Sequence, residues 1–80
     1  MDKFYYLYSY NISKLKPSNR VRLVYVLKGR GNEKGLIKKL NGKPIAAACF
    51  IIPVKKDREI QEVFRFWKVP FKRIKIMLIN

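Results

Sequence analysis

Residues 43–79 read KPIAAACFIIPVKKDREIQEVFRFWKVPFKRIKIMLI, and the fold turns on how this stretch divides. The run from Ile45 to Val54 is apolar, opens after Pro44 and ends at Pro53, which suits a buried strand. Its three alanines, Ala46, Ala47 and Ala48, leave room for helices to lie close across it. From Asp57 to Val69, Ile60, Val63, Phe64 and Trp67 fall at i, i+3, i+4 and i+7, the stripe of a helix with one buried face. Asp57 stands at the cap, Asp57 and Glu59 fill the first turn and Lys68 the last, in accord with the helix dipole. Pro70 closes the helix. Phe71 to Ile79 then alternates Ile74, Ile76 and Leu78, expected toward the core, against Arg73, Lys75 and Met77. The reading is strand, helix, strand.

The upstream half reads as a second unit of similar size. FYYLYSYNI, residues 4–12, is rich in rings, and its two alternating sets are Phe4, Tyr6, Tyr8, Tyr10, Ile12 and Tyr5, Leu7, Ser9, Asn11. Both sets carry bulk, which predicts a central strand and leaves open which set meets the core. Buried tyrosine hydroxyls need partners, so part of this set is expected to reach water, a polar network or a ligand. Pro17-Ser18-Asn19 predicts a turn into a helix capped by Ser18. VRLVYVL is β-branched enough for a strand, but Ser18 before it, Lys28 in its last turn and Gly29 after it favour a helix over 20–28. Gly29-Arg30-Gly31 reads as cap and turn; it matches neither Gly-rich phosphate-binding pattern. Leu36 to Leu40 reads as a short strand, and Asn41-Gly42 as a type I′ hairpin leading into the alanine-rich strand. Lys38, Lys39 and Lys43 would then crown that hairpin as a positive knob.

Two βαβ units joined by a hairpin make an α+β, ferredoxin-like βαββαβ sandwich: a four-stranded antiparallel sheet with two helices on one face. The first and third strands would be central, and the more basic second and fourth would take the edges, where lysine discourages strand addition. Eighty residues suit one small domain, 1–80, without linker or second domain.

Charge is the strongest functional signal. Nineteen Lys and Arg against five Asp and Glu give a net charge of +14. From Lys3 to Lys56 there are thirteen basic residues and one acidic residue, Glu33. The expected partner is a polyanion, nucleic acid above all, RNA or DNA undecided. The plainer explanation is a generally basic or heat-adapted proteome. Arg20, Arg22, Arg30, Lys34, Lys38, Lys39 and Lys43 are the candidate phosphate contacts. Tyr6, Tyr8 and Tyr10, flanked by Arg73 and Lys75, are the candidate stacking platform if they face away from the helices. The same ring-rich face would serve equally as a homodimer or hetero-complex interface, and an ordinary core with satisfied hydroxyls is a third reading.

Catalysis has little to work with. The chain has no histidine, so no imidazole base and no imidazole metal ligand. The single Cys49 excludes an intrachain disulfide, is expected to be buried and inert, and suits a reducing compartment. No residue set points to a metal, a cofactor or a small-molecule substrate. A signal peptide and a membrane-spanning apolar run are both lacking, so the expected setting is the cytoplasm. The helix beginning at Asp57 is acidic at its start, unlike a membrane-surface helix.

Two resemblances follow from the pattern. An open sheet face with rings and flanking cations is similar in layout to the RRM, which would imply single-stranded RNA or DNA as ligand. The third strand, IAAACFII, lacks the K/R-G-F/Y-G/A-F-V pattern of that family and has Phe50 as its one ring. The βαββαβ order also resembles a family of small CRISPR-associated nucleases that use an acidic residue at the end of the first strand. Asn11, in YSYNIS, stands at that position, and an amide does not supply the charge that Mg²⁺ requires. The expectation is therefore a non-catalytic nucleic-acid-binding protein, with a structural or assembly protein as the alternative and a nuclease as the third reading.

Overall fold

The computed structural model describes residues 4–79. Strand β1 (Phe4–Tyr10) leads into helix α1 (Pro17–Lys28), a small ribbon β2 (Gly29–Arg30) and β3 (Glu33–Lys34), and a short helix α2 (Leu36–Lys39). Strands β4 (Lys43–Ala46) and β5 (Cys49–Pro53), a 3₁₀ turn (Val54–Lys56), helix α3 (Asp57–Trp67) and strand β6 (Phe71–Met77) complete the order. The main sheet runs β4-β5-β1-β6, with every neighbouring pair antiparallel. This is the expected α+β, ferredoxin-like arrangement, with the helices on one face and the tyrosine-rich β1 at the centre.

The second strand is not where the sequence suggested. Leu36–Lys39 is helical, and it buries Ile37 and Leu40, three residues apart, in the core. Asn41-Gly42 closes this helix instead of turning a hairpin. Asn41 takes a left-handed φ of 62°. Its N–H donates to the Lys38 carbonyl at 3.1 Å, and the Gly42 N–H donates to the Ile37 carbonyl at 2.7 Å. That bond pair is a Schellman closure, which selects Asn or Gly for the same positive φ that a type I′ turn demands. The hairpin lies further on. Ala47 and Ala48 form the turn between β4 and β5, so the run expected as one strand folds back on itself.

Two expected caps are also relocated. Lys16 is the N-cap of α1, with Pro17 in the first turn, so Ser18 lies inside the helix. Lys56 precedes α3, and Asp57 sits in its first turn with its carboxylate turned to partners elsewhere. The end of α1 is as expected: Gly29, at φ 88°, donates its N–H to the Tyr25 carbonyl.

Register decides which ring set is buried. Tyr8 pairs with Phe50 and Arg73, and Tyr6 pairs with Ile52 and Lys75. Tyr8 (0% exposed) and Tyr10 (6%) lie under the helices. They join Phe50, Phe64 and Phe71 in a ring cluster in which Tyr8 stacks parallel on Phe50, at 5.2 Å between centroids and 4° between planes. Leu23 and Leu27 of α1 and Ile60 of α3 complete the core. Tyr5, Leu7 and Ser9 therefore share the open face with Ile51, Lys72, Ile74 and Ile76. The isoleucines of β6, expected in the core, face outward instead, and Ile74 is 62% exposed. Cys49, expected buried, is half-buried.

Candidate nucleic-acid interface

All nine candidate cations, Arg20, Arg22, Arg30, Lys34, Lys38, Lys39, Lys43, Arg73 and Lys75, are exposed. The first seven belong to consecutive elements that touch in space: α1 packs on α2 and β2, β2 pairs with β3, and α2 packs on β4. All seven are exposed on these touching elements. Among them the roles differ. Arg20 folds back to donate Nε to the Leu15 carbonyl at 2.9 Å and Nη2 to the Ser13 carbonyl at 3.0 Å. It ties down the loop before α1 and keeps fewer donors for a phosphate. Arg22 is exposed on α1, three residues before Tyr25 and on the same side of the helix.

An exposed ring, Tyr25, lies among these cations, beside Arg30, Lys34 and Lys39. Tyr25 is 42% exposed, and the Arg30 guanidinium sits 5.0 Å from its ring centroid. A groove of about 370 Å³ runs beside it, lined by Tyr25, Val26, Glu33, Lys34, Leu36 and Lys39. Helix α1 has apolar residues on two sides: Leu23 and Leu27 enter the core, whereas Val21, Tyr25 and Val26 face water. That double pattern is why VRLVYVL reads equally as strand or helix. It was also the available signal, since apolar residues left over after a core stripe is assigned mark a second contact surface.

The platform proposed on β1 is divided. Tyr8 and Tyr10 are core residues and do not offer a face to a base. Tyr6 remains partly accessible and shares its face with Arg73, whose guanidinium lies 4.3 Å from the ring centroid. Lys75 sits 5.3 Å from the Phe4 ring centroid alongside. Arg73 is further committed to Asp57, whose carboxylate also accepts from the Tyr8 hydroxyl and, at 3.1 Å, from Gln61 Nε2. Burial, then the hydrogen bond to Asp57 and its charge, push the Tyr8 phenol well above the ordinary tyrosine value. Burial raises Tyr10 too. A phenol that holds its proton so firmly is a structural donor and not a base or nucleophile at neutral pH.

No known protein family matches the chain, and neither the curated proteins nor the solved structures offer a significant match. The functional reading therefore rests on the residues alone. Among the described residues no three His, Cys, Asp or Glu side chains are grouped to hold a metal ion. Asn11 uses its side-chain oxygen locally, accepting the Ser13 N–H at 2.8 Å in a turn. Among the described residues no helix is long and apolar enough to cross a membrane.

Proposed function

We propose that this domain binds nucleic acid, without catalysing a reaction on it, through the cationic side formed by α1, the β2-β3 ribbon, α2 and the start of β4. The observation that carries this reading is the concentration of exposed Arg22, Arg30, Lys34, Lys38, Lys39 and Lys43 on touching elements around a single carboxylate, Glu33. Five carboxylates in the chain do not neutralise nineteen cations. A surface of that kind gains affinity by releasing counterions from a phosphate backbone. Such contacts fix position more than sequence. A nucleic-acid partner and one unpaired cysteine both suit the cytoplasm.

The test is affinity for labelled RNA and DNA across a salt series, comparing the native chain with the Lys38→Gln, Lys39→Gln, Lys43→Gln triple variant. The expected result is a steep fall of log affinity with log salt, and a slope shallower by about one unit per lysine removed. Salt-independent affinity, or a triple variant with the native slope, refutes the reading.

A second reading has its own observation. The open sheet face leaves Tyr5, Leu7, Ile74 and Ile76 without a covering layer, so it suits a homodimer or hetero-complex interface that is more aliphatic than aromatic. Light scattering across protein concentration tests it: a monomer at every concentration removes the homodimer.

A further inference from the structure

Resting on that nucleic-acid reading, we infer that the groove beside Tyr25 is a site for one unpaired nucleobase, which makes the domain a binder of single strands in preference to duplex. A base needs a flat apolar surface for its face, polar groups for its edge and cations for the phosphates on either side. The groove supplies each. Tyr25, Val26 and Leu36 give the apolar lining, and Lys34 and Lys39 the cations. The Arg30 guanidinium lies over the Tyr25 ring, 5.0 Å from its centroid, where it covers one ring face and carries a positive charge to the rim of the groove.

Glu33 decides what enters. It is the one carboxylate in the lining, and the ribbon register sets it directly across from Arg30. A carboxylate repels a phosphate, so the sugar-phosphate chain is held to the lysines while the groove interior receives the base. The same oxygens accept hydrogen bonds from an exocyclic amine, which cytosine and adenine have and uracil lacks. At about 370 Å³ the groove is at the small end for ligand sites and has room for a base. In a duplex both faces of each base are covered by its neighbours, so a duplex meets the surrounding cations only.

The experiment measures anisotropy of labelled cytosine, adenine and uracil single strands and of a duplex of equal length, with native protein, Tyr25→Ala, Tyr25→Phe and Glu33→Gln. Tyr25→Ala should weaken single-strand binding about tenfold and leave duplex binding unchanged, whereas Tyr25→Phe should keep single-strand affinity. Glu33→Gln should shrink the ratio between cytosine and uracil strands. Tyr25 is exposed, and circular dichroism of each variant verifies that the fold is intact. Equal losses on single strand and duplex, or no loss on either, overturn the base site while leaving phosphate binding in place. Failure of the native protein to bind any of the four polymers overturns the nucleic-acid reading itself. Equal native affinity for cytosine and uracil strands overturns the role given to Glu33.

Discussion

Asp57 illustrates how one side chain can be misread from its neighbours and explained by distant ones. At the start of a helix an aspartate signals a cap. Here its carboxylate joins three elements, taking Tyr8 of β1, forty-nine residues away, Gln61 of its own helix and Arg73 of β6. Nothing in local spacing reveals a partner that far along the chain. Asp57→Asn should cost about 1–2 kcal/mol in urea unfolding, held to that range because Arg73 stays partly in water. Tyr8→Phe should cost about 1 kcal/mol, and it also tests the raised phenol. A group whose ionisation is suppressed by folding stabilises fully below its unfolded value. For tyrosine that value is 10.0; above it the unfolded chain ionises first, and stability falls until the folded phenol follows. The native protein should therefore lose stability more steeply above that pH than Tyr8→Phe does. Parallel alkaline profiles would show that Tyr8 has no such linkage. The exposure of Tyr25 is hidden in the sequence for a related reason: it is a property of packing, and VRLVYVL carries apolar residues on two sides of its helix.

At the level of elements, the sequence signals were sound and their structural meanings were not unique. Asn-Gly marks a positive φ, and both a type I′ turn and a Schellman closure supply one; only the contacts of Ile37 and Leu40 with the core select the helix. Ala46-Ala47-Ala48 has neither Gly nor Asn to announce a turn, so a hairpin within it left no local trace. Helix α3, with a single apolar stripe and Pro70 beyond it, was legible in its body but not at its ends: Lys56 and not Asp57 is the cap, and Lys68, expected in the last turn, lies just past it. Its end is a Schellman closure as well: Val69 donates to the Phe64 carbonyl at 2.9 Å, with Lys68 at a φ of 56°. A lysine in that region carries a cost that glycine avoids, so Lys68→Gly should raise stability by up to about 1 kcal/mol. Gly42 is the opposite case. A Cβ there would stand 2.5 Å from the Ile51 carbonyl oxygen and 2.5 Å from Ile52 Cδ1. Gly42→Ala should therefore destabilise by about 1–3 kcal/mol. Thermal melts of the two variants check both signs.

For the molecule as a whole, strand order and charge were readable early, because two βαβ patterns and a net charge of +14 survive errors in individual boundaries. The orientation of β1 was not, since both of its alternating sets are bulky and only pairing with β5 and β6 assigns them. The charge has a cost in the free protein: cations crowded onto one small domain repel one another, and dispersing them by unfolding relieves that repulsion. The melting temperature should therefore climb with added salt, as screening shortens the reach of each charge. Calorimetry in a neutral buffer from low to physiological ionic strength measures this, and a flat profile would mean the cations stand too far apart to interact.

The two borders of the sheet differ in a way that limits how the molecule could ever polymerise. Strand β6 runs seven residues with unbroken register along β1, whereas β4 has four residues and a register shift between Pro44 and Ala46. Two copies meeting β6 to β6 across a two-fold axis would use up the one continuous border each possesses. The borders then left outside are short and interrupted, which makes them poor templates for a third copy. Among the described residues, strand-by-strand growth therefore meets a poor template once the sheet has been doubled.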